Sequence, residues 1–446
     1  MGVSGAIGPR WVVVSGGTVV DATGARRADV LVEDGVVRAV GEGIETPSGA
    51  TVLDAGGALV SPGLVDLHTH LRQPGREEAE TVESGSRAAA LGGFTAVVAM
   101  PNTDPPIDNA AVVSEVLDLG RRAMCQVAVA GAITVGRAGE RLAPMGELAA
   151  LGVRLFTDDG AGVQDAGVMR RALEYAHGLG VTLGQHCELD ALAAGGHMHE
   201  GAWSSRLGVP GVPAEAEEIM VARDIALARM TGGRVHFLHL STARSLRLVA
   251  AAKAEGLAVT AEVTPHHLTF TDASLAGYES VFKVNPPLRT DADVAALREA
   301  CASGTVDAVA TDHAPHPPEA KDAPLADAPA GMLGLETSLA ATMAALVGDE
   351  GGAAMTAADV LALLSWRPAA VAGLAPDAGG DQGGPIAPGS AANLCVFDPA
   401  TTWEVDPARL ASRSRNTPWA GRVLTGGVRH TVYRGEPVVI AGEAQR

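Results

Sequence analysis

Lysine is almost absent from this chain. Only Lys253, Lys283 and Lys321 occur among 446 residues, so no side-chain amine precedes position 253. Cysteine is sparse as well. The four present (Cys125, Cys187, Cys301, Cys395) are far apart and form no Cys-x-x-Cys pair, which argues against a disulfide framework or a cysteine-based zinc site. Positive charge is outweighed, with 33 Lys+Arg against 52 Asp+Glu and a net charge of −19. Such a balance excludes grip on a phosphate backbone, and no nucleic-acid partner is expected. No apolar run approaches the roughly 20 residues of a bilayer span, so no membrane partner is expected either. Residues Met1 to Arg10 lack a basic region followed by an apolar stretch, which leaves a cytoplasmic location as the expectation.

Hydrophobic residues make up 47% of the chain and charged residues 19%, enough to build a large core. The length exceeds one ordinary domain of roughly 100–200 residues but suits an α/β barrel with a smaller partner. From Trp11 to Val60 the texture is short β-branched runs broken by Asp-Gly and Gly-Gly, as in ADVLVEDGVVRAVGEGI. The same texture returns near the end, in ANLCVFDP and RVLTGGVRHTVYRGEPVVIAG, after a glycine- and proline-rich linker from Ala375 to Gly389. Between these ends, eight candidate strands alternate with alanine-rich helical stretches: 64–71, 94–102, 126–134, 153–159, 181–188, 234–241, 258–268 and 306–315. The expected fold class is therefore α/β: a (β/α)8 TIM-type barrel with a small β-sandwich domain formed from both chain termini. Its expected parts are residues 1–60 (sandwich), 61–375 (barrel) and 376–446 (linker and sandwich). An open doubly wound sheet fits less well, because no glycine-rich phosphate turn follows the first strand.

In such a barrel, catalytic groups project from the C-terminal strand ends. The first strand ends in DLHTH, and a period of two puts His68 and His70 on one inward face. The fifth ends at His186, the sixth at His239 and the eighth at Asp312. Four imidazoles and a carboxylate at one mouth suit zinc, with manganese, cobalt or iron as alternatives, and leave room for two ions and water. Other polar residues are expected to be bystanders. His236 has the parity to face the surrounding helices, while His197 and His199 fall in a long insertion and are expected in solvent. His266 and His267 read as structural, His313 as a support for Asp312, and Cys187 as packing.

Several segments carry a more specific signal: PGLVDLHTHLRQPG (62–75), AMPNTDP (99–105), LFTDDG (155–160), QHCE (185–188), HLSTARS (239–245), AEVTPHHL (261–268), KVNPPLR (283–289), ATDHAPH (310–316) and SRNTP (414–418). In this order, over nearly the whole chain, they resemble the amidohydrolase superfamily, and within it the bacterial class I dihydroorotases. The resemblance implies reversible, metal-dependent hydrolysis of the cyclic amide of (S)-dihydroorotate to N-carbamoyl-L-aspartate in pyrimidine biosynthesis. Many binuclear members of the superfamily bridge their metals with a carboxylated lysine on the fourth strand. No lysine is available there, and the only carboxylates at that strand end are Asp158 and Asp159, between which parity does not choose. The class I pattern, aligned without a gap to His186, places the bridge at Asp159. The implied metal ligands are then His68, His70, Asp159, His186, His239 and Asp312, holding one or two zinc ions, two being expected. Asp312 is also the implied catalytic proton shuttle.

Resemblance further assigns substrate contacts to His70, Leu71, Arg72, Asn102, Asn285, His316, Ala330 and Gly331. Of these, Arg72 suits bidentate grip on a carboxylate. The Pro- and Ala-rich stretch from His316 to Leu333 follows the eighth strand directly and reads as an active-site flap, with no role evident for Lys321. Alternatives are another cyclic amidase of hydantoinase or allantoinase type, and an inactive homologue that scaffolds aspartate transcarbamoylase. The missing lysine and Arg72 weigh against the first, and the complete ligand set against the second. A homodimer and docking onto aspartate transcarbamoylase are the macromolecular partners that the resemblance leaves open.

Overall fold

The computed structural model describes residues 10–347 and 355–446; residues 1–9, most of the stretch read for a secretion signal, lie outside them. At its centre eight strands run parallel: β1 (Leu64–Thr69), β2 (Phe94–Ala99), β3 (Gln126–Gly131), β4 (Leu155–Thr157), β5 (Thr182–Gln185), β6 (Arg234–Phe237), β7 (Val259–Val263) and β8 (Ala308–Val309). Each falls inside one of the eight stretches read from the sequence. The two edges meet where Thr69 bridges to His313 and the His70 N–H donates to the His313 carbonyl at 2.9 Å. Asp66 reinforces this closure by accepting from the Thr311 N–H (2.8 Å) and hydroxyl (2.6 Å).

Both faces of the barrel strands are covered, which is why β1 and β2 are buried at every residue. Outward side chains such as Val97, Val129, Phe156, Leu183 and Phe237 join one core with the surrounding helices. Inward ones, among them Leu67, Val98, Met100, Ala130, Leu155 and Ala308, fill the barrel below its mouth. Helix starts are defined by side chains that satisfy otherwise orphaned N–H groups, as with Asn109 before Ala110–Gly120 and Thr242 before Ala243–Ala254. One apolar stretch, Ala357–Ala378, has the length and composition to cross a bilayer, yet half of it is buried in the fold. It is also broken at Ser365, whose hydroxyl donates to the Gly63 carbonyl at 2.8 Å.

The terminal segments form two further sheets. One has four strands, all N-terminal: Val36–Gly41, Asp29–Glu33, Trp11–Ser15 and Thr51–Asp54. The other has seven and interleaves the two ends of the chain. Leu59–Pro62 lies between Thr18–Asp21 on one side and Leu394–Glu404 on the other, followed by Val423–Tyr433 and Glu436–Ile440. Val14, Val19, Val30, Leu53, Val60 and Val396 pack together between the sheets, which makes a sandwich.

The insertion after β5 departs from expectation at one histidine. His197 is part-exposed, but His199 is buried, because Arg289 reaches its Nδ1 at 3.1 Å and the Val212 carbonyl at 2.9 Å. A guanidinium with this many partners draws the short Met198–His199 strand inward.

Candidate metal centre

The mouth of the barrel gathers six side chains from five strand ends. His68 and His70 come from β1, Asp159 from β4, His186 from β5, His239 from β6 and Asp312 from β8. Two triads, His68/His70/Asp159 and Asp159/His186/His239, each place three donor atoms within 4.8 Å of one another, and Asp159 belongs to both. Its Oδ1 lies 3.3 Å from His68 Nε2 and 3.5 Å from both His186 Nδ1 and His239 Nε2. Its Oδ2 lies 3.6 Å from His70 Nε2. Asp312 Oδ1 stands 3.1 Å from His70 Nε2 and 3.6 Å from His68 Nε2. Asp158 points elsewhere, accepting from the Ile133 and Thr134 N–H groups at 2.9 and 3.0 Å and from the Thr134 hydroxyl.

The backbone is bent to achieve this convergence. The pairing of β1 with β2 slips between Asp66 and Thr69, an irregularity that re-aims the side chains following it. Arg72, His239 and Asp312 sit at φ 62°, 32° and 45°, a left-handed region that costs a non-glycine residue roughly 1–3 kcal/mol. Strain at three neighbouring site residues is held by the surrounding fold.

Both histidines of β1 are oriented from behind. His68 Nδ1 pairs with Glu262 Oε1 at 3.0 Å, and His70 Nδ1 donates to Asn102 Oδ1 at 2.9 Å. The second oxygen of Glu262 meets His236 Nε2 at 3.0 Å, and His236 Nδ1 pairs with the Thr260 hydroxyl at 2.8 Å. His236 is thus fully buried beneath the cluster, not among the helices. Strand alternation does point it opposite to a residue three positions on, but the left-handed turn at His239 breaks that alternation. The segment after β6 is pinned by Glu217, which accepts from the Ser241 and Thr242 backbones at 3.0 Å each. Glu262 and Glu217 were not singled out in the sequence. The signal for Glu262 was a carboxylate inside the otherwise apolar strand AVTAEV.

Electrostatics divide the cluster. Burial alone would depress His68, yet Asp159 and Asp312 together raise it well above its ordinary value; against the same burial, Asp159 raises His186. Burial and Arg72 depress His70. Burial would raise both aspartates, but the surrounding imidazoles, His68 first, hold Asp159 and Asp312 well below the usual carboxylate range. Glu262, opposed by burial, is brought to about 2 by its bonds to His236 and His68. Three facts fit this donor set to a cation. His68 Nε2 and Asp159 Oδ1 are buried without a hydrogen-bond partner. His186 Nδ1 and His239 Nε2 face each other at 3.0 Å, a contact between two lone pairs unless a proton or a metal intervenes. The set is nitrogen and oxygen only, which suits zinc and its neighbours.

A cavity of about 220 Å3 opens over the cluster, lined also by Arg72, Asn102, Asn285, His316, Ala330 and Gly331. Leu71 does not line it. Its side chain is buried in the core against Gly85, where an added Cβ would approach within 2.4 Å. Arg72 is 6% exposed, donates to the Pro315 carbonyl at 3.2 Å and has no carboxylate partner among the described residues. Burial, with a smaller push from Arg76, lowers it to about 10. His316 Nε2 donates to the Ala330 carbonyl at 2.8 Å; burial and Arg72 bring its ring to about 3, so it is neutral. His313 does not support Asp312 through its ring. Its Nε2 turns to Glu80 (3.3 Å) and its Nδ1 accepts from the Gly334 N–H (3.2 Å). His267 pairs with Thr264 and the Pro286 carbonyl, while His266 Nε2 is buried without a partner. Cys187 is buried and burial pushes its thiol well up, so it is no nucleophile.

Residues 57–245 match the family model described as "Dihydro-orotase-like". The chain is 48% identical over 430 residues to the dihydroorotase of Pelotomaculum thermopropionicum, covering 96% of this chain and 98% of that one. It is 50% identical over 423 residues to the dihydroorotase of Streptomyces coelicolor, covering 94% and 97%. Among solved structures, the L-hydantoinase (dihydropyrimidinase) from Arthrobacter aurescens superposes with a TM-score of 0.86 at 26% identity, covering 98% of this chain and 97% of that one.

Proposed function

This chain belongs to the dihydroorotase family, and from that premise we propose that it opens and recloses the ring amide of (S)-dihydroorotate, with N-carbamoyl-L-aspartate as the open form, in pyrimidine biosynthesis. The reaction class is cyclic-amide hydrolysis. One observation carries the assignment of substrate. Arg72, a buried guanidinium with no carboxylate partner among the described residues, shares a small cavity with the histidine and aspartate cluster. An anionic ring compound completes that ion pair, whereas a neutral hydantoin or allantoin ring leaves the cation unpaired in a buried site.

The residues that would hold metal are His68, His70, Asp159, His186, His239 and Asp312, with zinc, one ion or two, as the proposed metal. When bound, zinc supplies a Lewis acid for the carbonyl and brings water within reach of ionisation near neutral pH. The protein's own groups do the rest. Asp312, held as the carboxylate, takes the proton of the attacking water and passes it to the ring nitrogen as the C–N bond breaks; ring closure reverses the path. Arg72, Asn102, Asn285 and His316, with the main chain of Ala330 and Gly331, orient the ring and its carboxylate; Leu71, outside the cavity, has no part in this. His316 Nε2 must leave the Ala330 carbonyl to donate to that carboxylate, since the neutral ring has one N–H. Asn102 works on two sides, fixing His70 from its Oδ1 and itself lining the cavity.

The test is a spectrophotometric assay with dihydroorotate and, separately, hydantoin and allantoin, before and after chelation and with zinc restored. Turnover of dihydroorotate that is lost on chelation is expected. Turnover of hydantoin without dihydroorotate would overturn the reading.

A further inference from the structure

Two of the chain's three lysines are buried, and both are turned onto main-chain carbonyls of the flap. Lys283 Nζ donates to the Leu325 and Ala326 carbonyls at 2.8 and 3.0 Å, and its own carbonyl accepts from the Gly331 N–H at 2.9 Å. Lys321 Nζ donates to the Pro329 carbonyl at 2.9 Å and to the Gly331 carbonyl at 3.0 Å. Neither has a carboxylate within salt-bridge distance among the described residues. These ammonium groups are spent on shaping a loop, where surface lysines are normally solvated.

The Gly331 carbonyl is gripped from a second side. Asn416, buried in the SRNTP segment, donates from Nδ2 to Gly331 O at 3.1 Å and to Ala314 O at 3.0 Å. Its Oδ1 accepts from the His316 N–H at 3.2 Å, and its carbonyl accepts from the Leu333 N–H at 3.0 Å. One side chain therefore ties both ends of the flap, the His316 end and the Gly331 end, to a strand connection about a hundred residues away. Gly331 has no slack to absorb a change. It sits at φ 135°, and a Cβ there would come within 2.8 Å of Ala314 Cβ and 2.9 Å of His316 Nε2.

We infer that Lys321 and Asn416 are positioning residues for substrate. By holding the Gly331 carbonyl between them they set the Ala330–Gly331 turn and His316 over the metal cluster, so that ligand capture depends on them and bond cleavage does not. This rests on the dihydroorotase reading of the site for its kinetic form, but the mechanical claim is independent of it.

Steady-state kinetics with dihydroorotate on Lys321→Met, Asn416→Ala and the double variant form the first arm. Each single change is expected to raise KM about tenfold, with kcat and metal content within twofold of the parent. Because both groups act on one carbonyl, the double variant is expected to match the worse single variant. Independent, multiplying effects, or loss of kcat at unchanged KM, would overturn the inference. The second arm needs no turnover. Endoproteinase Lys-C can cut this chain only after Lys253, Lys283 and Lys321. Nicking at Lys321, read by mass spectrometry against Lys253 in the same digest, is expected to accelerate in Asn416→Ala and to slow when N-carbamoyl-L-aspartate is added to the parent. Unchanged nicking in Asn416→Ala refutes the latch itself. Accelerated nicking with no effect of that ligand, in an enzyme that does not turn over dihydroorotate, refutes the substrate reading and the kinetic form of the inference while the mechanical claim stands.

Discussion

Replacing Glu336 by glutamine should make this protein more stable at pH 8 and change little at pH 5. Glu336 is part-buried where the loop after β8 meets the segment from Ala411 to Asn416, and its Oε1 accepts from the Ala411 N–H at 2.9 Å. Burial, with Glu80 nearby, pushes its carboxyl up from 4.5 to about 7. Glu80 is fully buried but goes the other way, because His313, Ser412, Ser84 and the Arg413 N–H all donate to it. An acid whose folded pKa lies above its unfolded one binds more protons when folded. Stability therefore falls as pH rises from about 4.5 to 7, and the whole penalty is present above that window. At about 1.4 kcal/mol per pH unit, the rise from 4.5 to about 7 caps the penalty near 3.5 kcal/mol; because the residue is only part-buried, about 1–2 kcal/mol is the expected gain. Urea denaturation of parent and variant at pH 5 and pH 8 measures it, as a midpoint shift at constant m-value. An equal shift at both pH values, or a loss of stability at pH 8, would refute the reasoning.

Three further outcomes follow from the site. Asp312→Asn is expected to lower kcat by at least a thousandfold while most of the metal is retained, since five other ligands remain; near-normal turnover would remove Asp312 from the proton path. Arg72→Met should raise KM for dihydroorotate by two or more orders of magnitude, the loss of a charge-assisted pair worth roughly 3 kcal/mol, with metal content unchanged on elemental analysis. Metal must displace protons from His68 and His186, both raised by Asp159, so apparent zinc affinity should climb with pH, by up to tenfold per proton per unit. Competition against a chelating dye at pH 6 and pH 8 tests this, and a flat profile would show that the histidines are already unprotonated.

The barrel was legible in the sequence because each strand is a β-branched run bounded by polar residues and followed by an amphipathic stretch. Legible too were the residues at strand ends, since a histidine or aspartate that interrupts such a run has few inexpensive places to go. Parity was a weaker guide. It failed at His236 because a left-handed residue, His239, follows three positions later and no local pattern marks it. The second layer was invisible for a different reason. Glu262 under His68, Glu80 under His313 and Arg289 beside His199 are hydrogen-bonded to residues 194, 233 and 90 positions away, pairings that only the closed barrel creates. Lys321 and Asn416 belong to the same group, because their partners are carbonyls and carbonyls leave no trace in a sequence.

The interleaved seven-stranded sheet also has a consequence during synthesis. Leu59–Pro62 is made early but pairs on one side with Leu394–Glu404, made near the end. Until that late strand emerges from the ribosome, the N-terminal part of this seven-stranded sheet has an open edge ready to recruit any extended chain nearby. The barrel meanwhile lacks the Asn416 segment that ties its flap. A nascent chain of this kind is therefore incomplete at both places until its last few dozen residues appear, and a stop codon there would produce a sticky intermediate instead of a shorter enzyme.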